Sequence, residues 1–106
     1  MSLEFVDDVF PLHGAFIQTP WKLKDLRQIN KYIIALADIE GLRPPALGLA
    51  CYSQAGELLW ELKRWELYSP YVAVDTEPSL KAWSGDGWLH TIDVTSGEIV
   101  DRVFTK

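Results

Sequence analysis

TPWKLKDLRQINKYIIALADIEG, residues Thr19–Gly41, is the stretch whose reading decides the fold. Thr19 is a good helix N-cap, and proline at position 20 suits the first helical residue. Leu26, Ile29, Ile33, Leu36 and Ala37 recur at three- and four-residue spacings and make one apolar stripe. Leu23 extends the stripe, and Ile34 and Ile39 widen it. Lys24, Asp25, Gln28, Lys31 and Asp38 turn away from it. Gly41 fits the position just past a helix end, with Leu42 as the accompanying hydrophobic contact. The spacing predicts one long helix, Pro20–Glu40, roughly 30 Å long at about 1.5 Å per residue. So broad a stripe predicts a helix lying on a sheet. Arg43-Pro44-Pro45 then stops the helix and imposes an extended link.

Downstream the pattern changes to strands. WLHTIDVTSGEIVDRVF, Trp88–Phe104, has two arms rich in Val, Ile, Thr and aromatics, which suit a pleated surface. Thr95-Ser96-Gly97 joins them as a three-residue hairpin loop, with Gly97 at positive φ. This register opposes Val94 to Glu98, Ile92 to Val100, His90 to Arg102 and Trp88 to Phe104. One face then carries Trp88, Ile92, Val94, Val100 and Phe104.

Ala46–Tyr68 predicts a second hairpin, turning at Gln54-Ala55-Gly56. Its outgoing arm, Leu58–Tyr68, mixes strand and helix spacings, and the preceding turn favours strand. Tyr71–Val74 and Leu80–Trp83 read as short strands, with tight turns at Thr76–Ser79 and Ser84–Gly87. Residues 1–18 fit neither period; a short strand near Leu3–Val6 and extended chain near Ala15–Gln18 are expected. WSGDGWLHTIDVTSGEIV, Trp83–Val100, resembles a repeat of pyrroloquinoline-quinone-type β-propellers, in which a strand leads through an Asp and a Thr-Gly turn to the next. The resemblance implies shared hairpin chemistry and carries no function across, because a propeller needs repeated blades.

The expected fold is therefore α+β: one long helix packed on an antiparallel sheet of about four to six strands, in a single domain spanning 1–106. Its expected core is Leu26, Ile29, Ile33, Leu36, Leu49, Leu58, Trp60, Ile92, Val94, Val100 and Phe104.

Composition bounds the function. The chain has 106 residues, 48% hydrophobic and 24% charged, which are globular values. A net charge of −5 argues against duplex nucleic acid, whose binding depends on basic side chains. Lys22, Lys24, Arg27 and Lys31 are interleaved with Asp25 and apolar residues, as on a solvated face. No apolar run has the length of a membrane span, and the start lacks a secretory pattern. With the single cysteine Cys51, these features favour a cytoplasmic setting.

Chemistry-bearing residues are sparse. Cys51, His13 and His90 lack the paired spacing of a zinc site, and no phosphate-loop, dinucleotide or nucleophile-elbow motif occurs. No catalytic residue, metal or cofactor is expected. Five tryptophans in so small a chain point to a contact surface or a ligand pocket. Two readings follow. The first is a non-enzymatic accessory module that self-associates, a dimer first, through Trp65, Tyr68 and Tyr71. The second is a small-molecule binder or modest enzyme with a pocket between helix and sheet, lined by Trp83, Trp88, His90 and Arg102. In it the rings supply area, and the His–Arg pair fixes an anion or carboxylate. The blander account of that pair is a sheet-margin Arg with a packed stem.

Overall fold

A computed structural model describes residues 3–64 and 67–105. Ten strands run in chain order and form three antiparallel sheets; there is no helix among the described residues. The first sheet is a hairpin, β1 (Val9–Leu12) with β2 (Ala15–Gln18). The middle sheet is a meander of β3 (Leu23–Ile29), β4 (Tyr32–Ala37), β5 (Leu49–Tyr52) and β6 (Leu58–Glu61). The C-terminal sheet repeats that topology with β7 (Tyr71–Asp75), β8 (Lys81–Ser84), β9 (Trp88–Ile92) and β10 (Ile99–Phe104).

The expected helix Pro20–Glu40 is thus two strands and a hairpin turn, and the fold is all-β rather than α+β. Ile29 faces Tyr32 across a two-residue turn, Asn30-Lys31, and Asn30 lies in the left-handed region with φ 53°. Asn tolerates that region better than most residues, so Ile-Asn-Lys-Tyr carried a turn signal inside the apparent helix. The periodicity misled for a packing reason. In β4, Ile33, Ala35 and Ala37 face one core, while Ile34 and Leu36 face another. A strand buried on both faces shows a continuous apolar run instead of alternation, and such a run supplies three- and four-residue spacings by accident.

Those two cores define the layering. One lies between the middle and C-terminal sheets. Ile34, Leu36, Leu49, Cys51 and Trp60 meet Tyr71, Val74, Leu80, Ala82 and Ile92 there. The other lies between the middle sheet and the N-terminal part, where Phe10 and Trp21 pack with Leu23, Leu26, Ile33, Ala50 and Tyr52. Full burial of each such side chain stabilises by about 1.5–3 kcal/mol. Polar ties cross the layers. Lys24 Nζ donates to the Val72 carbonyl at 2.8 Å, and the Trp60 indole donates to the Val94 carbonyl at 2.8 Å. The amide of Tyr71 donates to the Leu47 carbonyl at 2.9 Å.

The sequence reading fares better downstream. The β9–β10 hairpin pairs His90 with Arg102 and Trp88 with Phe104, as expected. Gly97 holds φ +79°, and a Cβ there would meet Trp60 at 2.6 Å. One detail differs. A bulge pairs Ile92 with Ile99 and leaves Val100 60% exposed, outside the expected core. Leu58 and Phe104 are also half exposed at sheet edges, while Leu26, Ile33, Leu36, Leu49, Trp60 and Ile92 are buried. At the N-terminus, Ala15–Gln18 is a strand as expected. Leu3–Val6 forms no strand; only Val6 bridges to Val9.

Candidate functional site

The polar pair on β9 and β10 is the seed of a larger cluster. Cross-strand pairing sets Arg102 opposite His90 on the face turned towards the middle sheet. Alternation carries Trp88 and Phe104 to that same face, where their rings lie 5.2 Å apart. From the β6–β7 connection comes Tyr68, and from the first residue of β7 comes Tyr71.

His90 is fully buried and both ring nitrogens are engaged. Arg102 Nε donates to Nε2 at 3.1 Å, and Nδ1 lies 2.6 Å from the Tyr71 hydroxyl. A guanidinium can only donate, so Nε2 is the bare nitrogen. The neutral ring then carries its proton on Nδ1 and donates it to Tyr71 Oη. Burial, then the Arg102 charge, lowers the His90 pKa, with Asp86 opposing weakly. Burial raises the Tyr71 phenol above its ordinary range. Both rings are therefore neutral at physiological pH. Tyr68 and Tyr71 each meet the imidazole edge to face, at 5.2 and 5.3 Å.

Arg102 itself is exposed at the rim. Its guanidinium lies 4.2 Å from the Trp88 ring centre and 5.1 Å from that of Tyr68. Among the described residues no carboxylate lies within ion-pair distance of it; the ion pairs are Arg27–Asp25 and Lys63–Glu61. Asp86 stands nearby in the β8–β9 turn. Its carboxyl sits below the usual range, chiefly because the Ser84 hydroxyl donates to it, with Ser69 also contributing. Ser84 in turn accepts the Trp88 amide at 3.2 Å. The site thus offers a cation fixed by one hydrogen bond and two aromatic contacts, beside the half-exposed Phe104.

The sequence-derived residues divide accordingly. Trp88, His90 and Arg102 come together. Trp83 does not: it pairs with Leu89, one step from the buried Ala82–His90 pair, and so points to the opposite face. A pocket between helix and sheet is ruled out with the helix itself. The clefts around Phe16, Tyr52, Asn30 and Arg43 contain none of the four candidates. Tyr71, expected at an interface, is fully buried, and Tyr68 is half-buried against Arg102. Trp65 lies outside the described residues. What the sequence did not reveal is that these two tyrosines belong to the His–Arg site. Tyr71 and His90 are 19 residues apart on non-adjacent strands, and no local pattern links them.

Other reactive groups are muted. Cys51 is buried and its thiol is pushed up to about 12 by burial, so it is not a thiolate at neutral pH. Tyr52 is likewise raised to about 12, first by burial and then by Glu61. Among the described residues no cluster of three or more His, Cys, Asp or Glu stands ready for a metal, and no helix is long and apolar enough to cross a membrane. The chain matches no protein-family model, no curated protein and no solved structure.

Proposed function

We propose that the protein is a non-enzymatic binding module that holds a carboxylate with an apolar body at Arg102. The observation that carries this reading is a guanidinium locked by His90, Trp88 and Tyr68 with no carboxylate of the described chain to neutralise it. A guanidinium binds carboxylates through a planar fork of N–H donors, and pre-orienting it removes part of the entropic cost of binding. Its Nε is already engaged by His90, so the terminal amino groups meet the ligand. Trp88 and Phe104 supply apolar surface beside that anchor.

A binding role suits the neighbouring groups better than catalysis. His90 is enclosed with both nitrogens committed, which leaves no position for proton exchange with a substrate. A buried free thiol supports a reducing, cytoplasmic compartment, and the acidic balance disfavours nucleic acid.

Titration with benzoate and acetate, read by Trp fluorescence and by the Arg102 Nε–H resonance, tests the reading. Benzoate should bind more tightly than acetate and perturb both signals. Arg102→Ala should abolish the response, and Arg102→Lys should weaken it at least about tenfold, because an ammonium lacks the fork. Equal, unsaturable responses in wild type and Arg102→Ala would refute it.

A further inference from the structure

Glu61 ends β6, and its side chain is only 8% exposed. Across the ladder Glu61 faces Ala50 and Leu58 faces Tyr52, so all four turn towards the N-terminal layer, where Ala50 and Tyr52 pack. The Trp21 indole donates to Glu61 Oε2 at 3.2 Å. Among the described residues Oε1 accepts no hydrogen bond; Lys63 Nζ, 59% exposed, stands 3.7 Å away, beyond hydrogen-bond range. A carboxylate withdrawn from water keeps a strong demand for donors, and one oxygen of this one goes unmet.

That carboxylate lines a cleft of about 470 Å³ between the β2–β3 link and the β5–β6 hairpin, a size usual for small-molecule sites. Ile17, Pro20 and Leu58 give the cleft apolar walls. Gln18 and Thr19 also line it, but their donors are engaged elsewhere. The Gln18 amide donates to Asp8 at 3.1 Å, and the Thr19 hydroxyl to the Trp21 carbonyl at 2.6 Å. No side chain lining the cleft is cationic; Lys63 lines a neighbouring cleft with Arg43.

Tyr52 supplies a second unmet group. Its ring is 3% exposed and lies 5.5 Å from that of Phe10, centre to centre. Among the described residues its hydroxyl makes no hydrogen bond, yet no side-chain N or O sealed from solvent lacks one, so this hydroxyl opens into the cleft that the ring lines. After burial, the charge of Glu61 is the second cause that holds the phenol up to about 12. The two groups are thus within electrostatic reach, and the neutral hydroxyl is free to accept a hydrogen bond.

We infer that this cleft binds a small primary ammonium ion with a compact apolar body. Its N–H groups go to Glu61 Oε1 and the Tyr52 hydroxyl, and its body rests on Ile17, Pro20 and Leu58. The occupant is a cation because the lining brings a negative charge and a free acceptor but no positive charge. It is an ammonium rather than a divalent metal because one carboxylate is too few for an ion that takes six or more oxygen ligands. The site lies on the other side of the middle sheet from Arg102, has the opposite charge and does not depend on it.

Titration of the full chain at neutral pH with benzylamine, and with benzyl alcohol as its uncharged match, tests this. The readout is the Trp21 indole N–H resonance, since that group is bonded to Glu61. Benzylamine should shift it saturably, and benzyl alcohol should bind at least about tenfold more weakly, as the loss of a hydrogen bond to a charged group implies. Glu61→Gln keeps the size of the side chain and an acceptor for Trp21, and should lose the preference for the amine. Tyr52→Phe keeps the ring beside Phe10 and should weaken benzylamine by about two- to tenfold. Equal binding of the two ligands by wild type overturns the inference, as does a response that never saturates. So does a preference for the amine that survives Glu61→Gln. An unchanged benzylamine affinity in Tyr52→Phe overturns it too, and decides the matter if Glu61→Gln does not fold.

Discussion

The middle and C-terminal sheets share one topology, four consecutive strands in a meander, yet their residues are distributed in opposite ways. In the middle sheet β5 is buried at every position and β4 at all but its first. In the C-terminal sheet β7, β8 and β9 mix buried positions with partly exposed ones, and β10 has no buried residue. The difference is one of place rather than of hydrogen bonding. The middle sheet has a layer on each face, and the C-terminal sheet has one on a single face. A meander sets which residues neighbour one another; the number of covered faces sets whether alternation is visible.

That comparison can be tested by deletion. Leu36→Ala, at the fully buried centre of the middle sheet, should cost about 2–5 kcal/mol, whereas Leu89→Ala, on the outward face of the C-terminal sheet, should cost well under half as much. Urea denaturation of both variants checks it, and equal losses would mean that the outward face is covered in solution. The glycine turns give the next largest contrast. Gly97→Ala combines a disfavoured φ with overlap on Trp60, a cost of about 2–4 kcal/mol. Gly14→Ala carries the φ cost alone, about 1–2 kcal/mol, because its Cβ meets nothing.

A smaller effect should come from pH. His90 has a folded pKa below its unfolded value of about 6.5, so the unfolded chain takes up the proton first. Its contribution is complete above that value and is lost as pH falls towards the folded pKa. Thermal midpoints of wild type should therefore decline from pH 7 to pH 5, and His90→Gln should show a flatter decline from a lower starting point. Arg102→Ala should cost about 0.5–1 kcal/mol, the worth of an exposed cation–π contact, since the guanidinium sits at the rim. Lys81→Ala, on the outward face of the C-terminal sheet, should stay within about 0.5 kcal/mol of wild type by the same urea measurement.

The site is half legible in the sequence. The expected pairing of His90 with Arg102 holds although the loop is one residue longer than Thr95-Ser96-Gly97: Asp93 rather than Val94 meets Glu98, and the bulge before Asp101 restores the expected register. The hairpin bulge at Val100 shifted the pairs near the turn without disturbing the pairs beyond it. Trp83 was misplaced because nothing in β8 alone says which of its faces is covered. The place of Tyr68 and Tyr71 beside His90 is not legible locally, because an aromatic residue before or at a strand start looks alike whether it meets a partner or an imidazole on a distant strand.

Local sequence thus settled the turns and the strands attached to them, since Gly97, Gly56 and the Val-, Ile- and aromatic-rich arms act over a few bonds. It did not settle Thr19–Gly41. There the choice between one helix and two strands turned on β4 being enclosed from both sides, a condition met only when residues far along the chain supply Tyr71, Leu80 and Ala82 on one side and Phe10 supplies the other. Burial on two faces erases the polar positions that distinguish a strand's period from a helix's. Tertiary packing therefore made the decision, along with the placing of Arg102 over its two aromatic rings.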